Sequence, residues 1–351
     1  MDMMFVEDCC QILDSMRVPI TASDREEGEY PYYGANGIQD YVADYIFDDE
    51  LVLLAEDGGN FGSKERPIAY RVSGKCWVNN HAHVLKPKDG LDVDYLCYSL
   101  MFYKVEGMVN GATRQKLTQA AMRKMQIPSR SMDEQKYIVD KLNCIIRIKE
   151  QRQQELQLLD DLIKARFVEM FGDLRKNTKR WNIKSFDELS YLITDGEHAT
   201  PKRTTEGIFL LSARNILNHS LQLADVDYID QAEYDRISKR IVPQEGDVLI
   251  SCSGSIGRCC RVPADIKFQM VRSAALIRFK EKIKPIFAEY MITSDYLQEQ
   301  INSSKTASSQ ANLFQGKIKA LKGFVPPIEL QDEFEAFVHQ VDKSKFIHQI
   351  I

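Results

Sequence analysis

The sequence predicts an α+β protein made of two duplicated domains, each a mixed sheet plus helices, joined by long antiparallel coiled-coil helices. Three observations lead to this prediction: the second half of the chain repeats the first, short apolar runs alternate with helical segments in both copies, and one uninterrupted helical segment lies between them. The 351 residues, of which 44% are hydrophobic, suffice for about two globular domains.

The repeat is visible as three pairs of similar segments. FVEDCCQILDS near the start aligns with FDELSYLITDG about 181 residues later, and LVLLAEDGGNFG aligns with DVLISCSGSIG. The segments Leu117–Gln135 and Leu313–Gln331 align at an offset of about 196. An offset that grows along the chain is typical of two copies with loops of different length, and a repeated unit of this size is a domain.

Each copy predicts the same succession of elements. Apolar runs bounded by turn residues predict strands at Leu51–Ala55, Val248–Ser251 and Ala274–Phe279. Helical pairs follow, predicted at Val93–Tyr103 and Arg114–Met125 in the first copy and at Pro285–Ser303 and Asn312–Leu321 in the second. A proline-containing break then ends each copy, at residues 127–131 and 325–327.

The segment after the first break predicts a helix from Met132 to about Phe171, ended by Gly172. Positions 138, 142, 145, 149, 152, 156, 159, 163, 166 and 170 alternate steps of four and three, which indicates a coiled-coil seam. At about 1.5 Å per residue the helix measures roughly 60 Å, too long for the core of one domain. We therefore expect it to separate two lobes.

The second copy of this helix begins in the same way, with Phe334, Val338, Val341 and Lys345, and then stops at Ile351. Antiparallel pairing would place residues 331–351 beside about residues 151–171 of the first helix. Ile138, Leu142 and Ile145 would then be uncovered, and three aliphatic side chains in a row form an association surface.

Composition and charge exclude several classes of protein. No apolar run of about 18 residues occurs, and the start, MDMMFVEDCC, is acidic where a secretory signal is basic, so we expect a soluble, cytoplasmic protein. The eight cysteines form no C-x-x-C pair and predict reduced, mostly buried thiols. The net charge is −5, yet residues 59–130 carry about twelve bases against five acids, while residues 1–58 are strongly acidic.

A family resemblance rests on LLDDLIKARFVEMFGD (Leu158–Asp173), on the helix starts IP…MDEQ and VPPIELQ, and on the duplication. Together these resemble the DNA specificity subunit of type I restriction-modification systems, over essentially the whole chain. The resemblance implies two target-recognition domains at residues 1–130 and 181–327, with spacer helices at 131–172 and 328–351. The second spacer helix is shorter than the family pattern.

The resemblance also implies function and partners. Each domain would read one half of a bipartite target in double-stranded DNA, and methyltransferase (modification) and restriction/translocase subunits would assemble on the chain. The partners would use S-adenosylmethionine, ATP and Mg, whereas this chain would bind no cofactor and no membrane. It would be a non-catalytic specificity subunit.

Candidate DNA contacts are amide, hydroxyl and basic side chains beside turns of both copies, because such groups bind phosphates and base edges. They are Asn60, Lys64, Arg66, Asn79, Asn80, Arg114 and Lys116 in the first copy, and Lys202, Arg203, Arg214, Asn215, Ser253, Ser255, Arg258, Arg272, Gln310 and Asn312 in the second. Residues 110–116 and 306–312 precede predicted helices and could form anion-receptive N-termini. Solvated loops and simple helix caps are the alternative interpretation of these residues.

Enzymatic alternatives lack their motifs. The stretch GGNFGSK has the wrong spacing for a phosphate-binding loop, and SCSGSIG is not a nucleophile elbow. His81 and His83 suggest a metal site only weakly, because no third ligand lies nearby in the sequence. The rival hypotheses are a free-standing nuclease or methyltransferase, a dimerising scaffold, and a truncated or recombination-cassette specificity subunit that does not assemble fully.

Overall fold

The computed structural model describes residues 2–111, 114–303 and 312–350. The chain divides into two compact units, Met1–Gln151 and Arg152–Ile351. The elements that begin in the first unit are β1 Met3–Phe5, α1 Val6–Cys9, β2 Cys10–Ile12, β3 Glu27–Gly34, β4 Gly37–Val42, β5 Phe47–Ala55, β6 Ala69–Val78, β7 Ala82–Pro87, α2 Val93–Met101, β8 Val109–Asn110, β9 Lys116–Leu117, α3 Gln119–Arg123, β10 Gln126–Pro128 and α4 Met132–Phe171.

The second unit contains the end of α4 and the remaining elements. These are β11 Asn182–Ser185, α5 Phe186–Leu189, β12 Ser190–Asp195, β13 Arg203–Thr204, β14 Ile208–Leu211, β15 Ile216–Leu217, β16 Ser220–Leu221, β17 Asp227–Ile229, α6 Gln231–Ser238, β18 Val248–Ser251, β19 Cys259–Arg261, β20 Phe268–Met270, β21 Ala274–Phe279, α7 Pro285–Thr293, α8 Asp295–Ser303, α9 Gln315–Ala320, β22 Lys322–Val325 and α10 Ile328–Ile350. None of the helices in the described ranges combines the length and apolar character needed to cross a membrane.

The first unit is built on one mixed sheet with the strand order β2-β7-β5-β6-β3-β4. Its central strand, β5, ends in an apolar run that is buried on both faces: Leu51 and Leu53 pack into one cluster, and Val52 and Leu54 pack with α2 into the other. A continuous apolar run is typical of a strand buried on both sides. The fold class predicted from the sequence is confirmed.

The second unit repeats the core of the first. Its main sheet has the order β12-β21-β18-β19, which corresponds strand for strand to β2-β7-β5-β6, and the pair β11-β22 corresponds to β1-β10. The units differ beyond this core, because β13-β17-β14-β20 form a separate sheet in the second unit. The shared strand order confirms the internal duplication.

Two predicted helices differ from the observed elements. The helix expected over Arg114–Met125 begins only at Gln119, because Lys116 and Leu117 form a strand and Thr118 caps the helix by accepting a hydrogen bond from the backbone of Ala121. The helix expected over Pro285–Ser303 is two helices, α7 and α8. The backbone of Ser294 is extended there, and its hydroxyl bonds the Met291 carbonyl.

The long helix α4 has the bounds that the sequence predicts and ends at Gly172, whose φ of +79° suits a glycine stop. In the second unit its last turns pack against α10 in an antiparallel sense. Phe167 lies 5.4 Å from Phe334 between ring centroids, and Lys345 near the far end of α10 is 2.6 Å from Asp160. The predicted pairing of α10 with the second half of α4 is thus confirmed.

The seam of α4 agrees with the prediction at some positions and not at others. Ile163 and Met170 are buried, but Phe167 packs into the core at the step where the heptad predicts Arg166. A straight helix drifts relative to a strict heptad, which accounts for the shift. In the first unit Ile145 is 61% exposed as expected, whereas Ile138 packs partly against the core of its own unit.

The two units share a buried glutamine at the start of their long helices. The Gln135 amide accepts a hydrogen bond from the Asp92 N–H at 2.8 Å and donates to the Gly90 and Arg130 carbonyls at 2.9 Å each. The Gln331 amide does the same with the Lys284 N–H and the carbonyls of residues 282 and 326. These matched amides fasten each helix start to the loop that precedes α2 or α7.

Gln135→Ala and Gln331→Ala are each expected to lower the free energy of unfolding by about 2–3 kcal/mol, because each leaves one N–H and two carbonyls without their partner. Urea unfolding followed by circular dichroism measures the change. Gln153→Ala, an exposed glutamine on α4, is the matched control and should change stability by less than about 0.5 kcal/mol. Equal effects at Gln135 and Gln153 would contradict the assignment.

Candidate nucleic-acid interface

Three loops converge at one end of the first unit's sheet. The turn after β5 lies beside β9. The Leu117 N–H donates to the Glu56 carbonyl at 2.7 Å, and the backbones of Asp57 and Lys116 form an antiparallel β-bridge. The same turn meets the start of β7, where the Glu56 N–H donates to the His81 carbonyl at 2.8 Å.

The second unit brings the corresponding loops together in the same way. The Leu313 N–H donates to the Cys252 carbonyl at 2.9 Å, Ser253 pairs with Asn312, and the Cys252 N–H donates to the Ser273 carbonyl at 2.8 Å. The equivalence of Ser273 with His81, and so of Arg272 with Asn80, follows from these bonds. Residues predicted from separate segments therefore share one edge in each unit.

The edge of the first unit is a network of charges. The Glu56 carboxylate forms ion pairs with Lys116 Nζ at 2.9 Å and with Arg17 Nη1 at 2.6 Å. The Asp57 carboxylate forms an ion pair with Arg114 Nη2 at 2.7 Å. Burial raises the pKa of Glu56, but the hydrogen bonds from Lys116 and Arg17 outweigh burial and keep it below the ordinary value. Two of the predicted cations, Arg114 and Lys116, are thus paired with acids.

Behind this edge, Asp14, Glu56 and His83 form a buried cluster whose potential metal-ligand atoms lie within 4.8 Å of one another. The expectation that no third ligand lies near His83 is therefore wrong, because folding brings Asp14 from a distant segment. His83 already bonds Asp14 through Nδ1 at 2.6 Å and the Leu117 carbonyl through Nε2 at 2.9 Å. Arg17 forms ion pairs with both Glu56 and Asp14, and Lys116 with Glu56, so basic side chains of this chain already balance the negative charge of the two carboxylates.

Asp14→Asn is expected to destabilise the first unit most near neutral pH. Burial raises the pKa of Asp14. The hydrogen bonds from His83, Gln119 and the Val84 N–H lower it by more than burial raises it, so the pKa lies below its ordinary value of 3.8. A carboxyl group with a lowered folded-state pKa contributes stability above its unfolded pKa, and this contribution is lost as the pH falls through the folded pKa. The charged and titratable groups that face it are Arg17 and His83.

Urea unfolding of the wild type and the Asp14→Asn variant at several pH values tests this expectation. The difference in unfolding free energy should be about 1–3 kcal/mol near neutral pH and should shrink as the pH falls below about 4. A difference that does not depend on pH would show that the charge of Asp14 makes no contribution.

The edge of the second unit is an open depression of about 420 Å³ lined by Ser212, Ala213, Arg214, Ser253, Gly254, Ser255, Arg258 and Ser273. Four of these were predicted as DNA contacts from two separate segments. The Ser273 hydroxyl accepts a hydrogen bond from the Ala213 N–H at 3.0 Å and so fixes one wall to the other. Hydroxyl groups and guanidinium groups in one open depression form a polar surface that suits an anionic ligand.

Arg203 and Arg214 share one carboxylate beside this depression. Asp227 accepts from Arg203 Nε at 2.9 Å and from Arg214 Nη2 at 3.0 Å. Burial raises the pKa of Asp227, but these two arginines outweigh burial and lower it, so the carboxylate is charged.

Two predicted contacts are wrong because their side chains are buried. Asn79 is 3% exposed, donates to Gln39 and accepts from the backbone of His81. Asn215 is fully buried and its amide is bound within its own loop, to Ser212 and to the carbonyls of residues 222 and 225. Neither amide is available to a base edge.

The remaining predicted residues differ in exposure. Asn60 is half-buried, and its amide donates to the Pro67 carbonyl at 3.4 Å. The exposed residues among these are Lys64, Arg66, Asn80, Lys202 and Arg272. Gln310 lies outside the described residues. The anion-receptive helix N-terminus expected after residues 110–116 is wrong, because Lys116 lies in a strand and α3 begins later.

Sequence reasoning missed the acids of the interface, Asp57 and Asp227. Each is separated in sequence from the arginine it binds, by 57 residues for Arg114 and 13 for Arg214. The alignment of the repeat pairs Asp14 with Asp195; Asp14 is buried, Asp195 is half-buried, and each carboxylate is bound to a histidine. That alignment was the one available signal for a structural acid.

The family of type I restriction modification DNA specificity domains matches residues 1–158 and 213–351. The chain belongs to this specificity family. As a member of the type I specificity family, it is a DNA-binding subunit that takes part in target recognition in a restriction-modification system, and its duplicated units agree with the two matched regions.

Individual relatives agree with this placement. The chain is 26% identical, over 97% of its length and 89% of the relative's, to a putative type I restriction enzyme specificity subunit of Haemophilus influenzae. A 109-residue part, 31% of this chain and 26% of the relative, is 24% identical to the type I restriction enzyme EcoprrI specificity subunit of Escherichia coli.

Solved structures show the same fold. The specificity family member from M. genitalium, a type I S subunit, matches 99% of this chain and 91% of its own with a TM-score of 0.57 at 12% identity. A chain from a type I restriction-modification system studied for its complex assembly matches 99% of this chain and 91% of its own, with a TM-score of 0.53 at 14% identity.

Proposed function

We propose that each unit reads one half of a bipartite DNA target through the converging loops at the end of its sheet. The observation that carries the proposal is the repeated construction of these edges: the same backbone bonds join the same loops in both units, at Glu56–Leu117 and at Cys252–Leu313. Two similar surfaces on one chain suit two short half-sites separated by unread base pairs.

The chemistry of the exposed side chains supports DNA as the ligand. Exposed Lys64 and Arg66 in the first unit, and exposed Arg272 and half-buried Arg258 in the second, have no ion-pair partner within the described parts of the chain. Unpaired cations gain most from contact with phosphates, because they release counterions from the DNA. Exposed Asn80 and the serines of the depression can add hydrogen bonds to phosphates or base edges.

We further propose that partner subunits perform the chemistry and that this chain directs them. Modification subunits would bring S-adenosylmethionine, and restriction/translocase subunits ATP and Mg. Helix α4 offers docking surface for them: Leu158 is 67%, Leu162 48% and Val168 54% exposed on its second half. Exposed apolar side chains grouped on one helix are typical of a protein interface.

Selection from random DNA duplexes tests the half-site proposal. The full chain with its modification subunits should enrich duplexes carrying two short conserved blocks separated by a gap of constant length and random sequence. Enrichment of a single block would contradict two-unit reading, and no enrichment over the modification subunits alone would contradict sequence recognition by this chain.

A further inference from the structure

The exposed basic residues of the two edges fall into two groups. In the first group, which comprises Arg114, Arg203 and Arg214, the guanidinium forms an ion pair with an aspartate. In the second group, which includes Arg66 and Arg272, the guanidinium has no acidic partner within the described residues. We propose that the aspartate-held arginines read guanine bases and that the unpaired cations contact phosphates. This inference rests on the proposed function and names the base at the same surfaces.

In the first unit, Asp57 forms an ion pair with Arg114 through Nη2 of the guanidinium. The Asp57 side chain is 17% exposed and the Arg114 side chain 60%, so the carboxylate lies beneath the guanidinium. His81 Nδ1 binds the same carboxylate oxygen at 2.7 Å and thereby orients it. The guanidinium lies over Gly58, where an added Cβ would be 3.4 Å from both Nε and Nη2. Within the part of the chain that the structure describes, the contacts of the Arg114 guanidinium with Asp57 and His81 are made by Nη2, which leaves Nη1 as a second donor.

In the second unit, one aspartate holds two arginines. Asp227 on β17 binds Arg203 from β13 and Arg214 from the 3-10 turn Ala213–Asn215 that follows β14, and β13 and β14 flank β17 in the sheet. The side chains of Arg203 and Arg214 are 46% and 49% exposed, against 30% for Asp227. The carboxylate again lies deeper than the guanidinium groups, and Arg214 also lines the open depression.

A held arginine suits a base better than a phosphate for two reasons. Guanine is recognised by two parallel donors on O6 and N7, which demands a well-oriented guanidinium, and a carboxylate that already restrains the side chain through one of its nitrogens reduces the rotamer entropy lost on binding. The ion pair also neutralises much of the arginine's charge, so less is gained from counterion release at a phosphate. An unpaired cation such as Arg272 loses more rotamer entropy when it binds a base, and it gains more from counterion release when it binds a phosphate.

The test uses the full chain with its modification subunits, the duplex selected by the wild type, and duplexes with a single base pair changed at each half-site position. Equilibrium binding is measured over a range of salt concentrations. For Arg114→Ala we expect about 10- to 100-fold less discrimination at one guanine position of one half-site, with little change in the salt slope. Arg272→Ala should instead weaken binding to all duplexes alike and reduce the slope by about 0.9.

Two further variants separate base reading from a structural role. Arg114→Lys keeps the charge but loses the planar fork, so discrimination should fall while the salt slope is retained. Asp57→Asn removes the neutralising charge, so the salt slope should rise as Arg114 becomes free to contact phosphate, while discrimination at that position falls.

Other outcomes overturn the inference. If Arg114→Ala weakens all duplexes equally and lowers the slope by about one, Arg114 is a phosphate contact. If the position it affects is not a guanine, the assignment of the base is wrong. Either result leaves sequence-specific binding by the wild type intact, whereas a wild type without sequence preference would contradict the proposed function itself.

Discussion

Phe334→Ala is expected to lower the free energy of unfolding of the second unit by about 3–5 kcal/mol. Phe334 is fully buried where α4, α7 and α10 meet, with ring centroids 5.4 Å from Phe167, 5.5 Å from Phe171 and 5.3 Å from Tyr290. Removing this ring leaves a cavity that three other aromatic rings cannot fill, because their own positions are fixed by mutual contacts.

Urea unfolding followed by circular dichroism measures the loss, and Phe346→Ala is the matched control. Phe346 lies on the same helix but is 63% exposed, so its removal should change stability by less than about 0.5 kcal/mol. If the two variants are equally stable, α10 does not depend on this aromatic cluster for its position on α4.

Replacing residues 1–130 with the equivalent region of a relative is expected to change one half of the methylated motif and to leave the other half unchanged. Among the residues that the structure describes, the charge network of the first edge is formed by residues of the first unit, from Asp14 to Gln119, and Asp227 binds arginines of the second unit. Each surface is therefore organised without the other.

Mapping methylated bases in cells that carry the chimeric chain and a matching methyltransferase measures this result. The reciprocal exchange of residues 181–327 is the control and should alter only the other half. Loss of both halves in a chimera that folds and binds its partners would show that the two units do not read independently.

Elements dominated by local pattern could be predicted from the sequence. Val248–Ser251 and Ala274–Phe279 have the predicted bounds because apolar runs between turn residues identify buried strands. The strand at Lys116–Leu117 could not be predicted in this way, since it forms by pairing with Val109–Asn110 and by lying beside the turn at Glu56–Asp57. Two residues carry no strand pattern of their own.

The candidate interface could likewise be predicted only in part from the sequence. Glycine turns and matched segments of the repeat indicated which loops would meet, and the structure brings Arg214, Ser253, Ser255 and Arg258 together in one depression. Composition does not show whether an asparagine in such a loop points inward, as Asn215 does. Nor does it reveal which acid holds an exposed arginine, because those pairs join segments that only the folded chain brings together.

We propose that this chain determines the DNA sequence that its partner subunits modify. Methylated-base mapping in cells that carry the methyltransferase with and without the wild-type chain tests it most directly. With the chain present we predict methylation at a bipartite motif of two short blocks and a constant gap, and without it no methylation at that motif. Methylation of the same motif without the chain, or of one contiguous motif with it, would contradict the account.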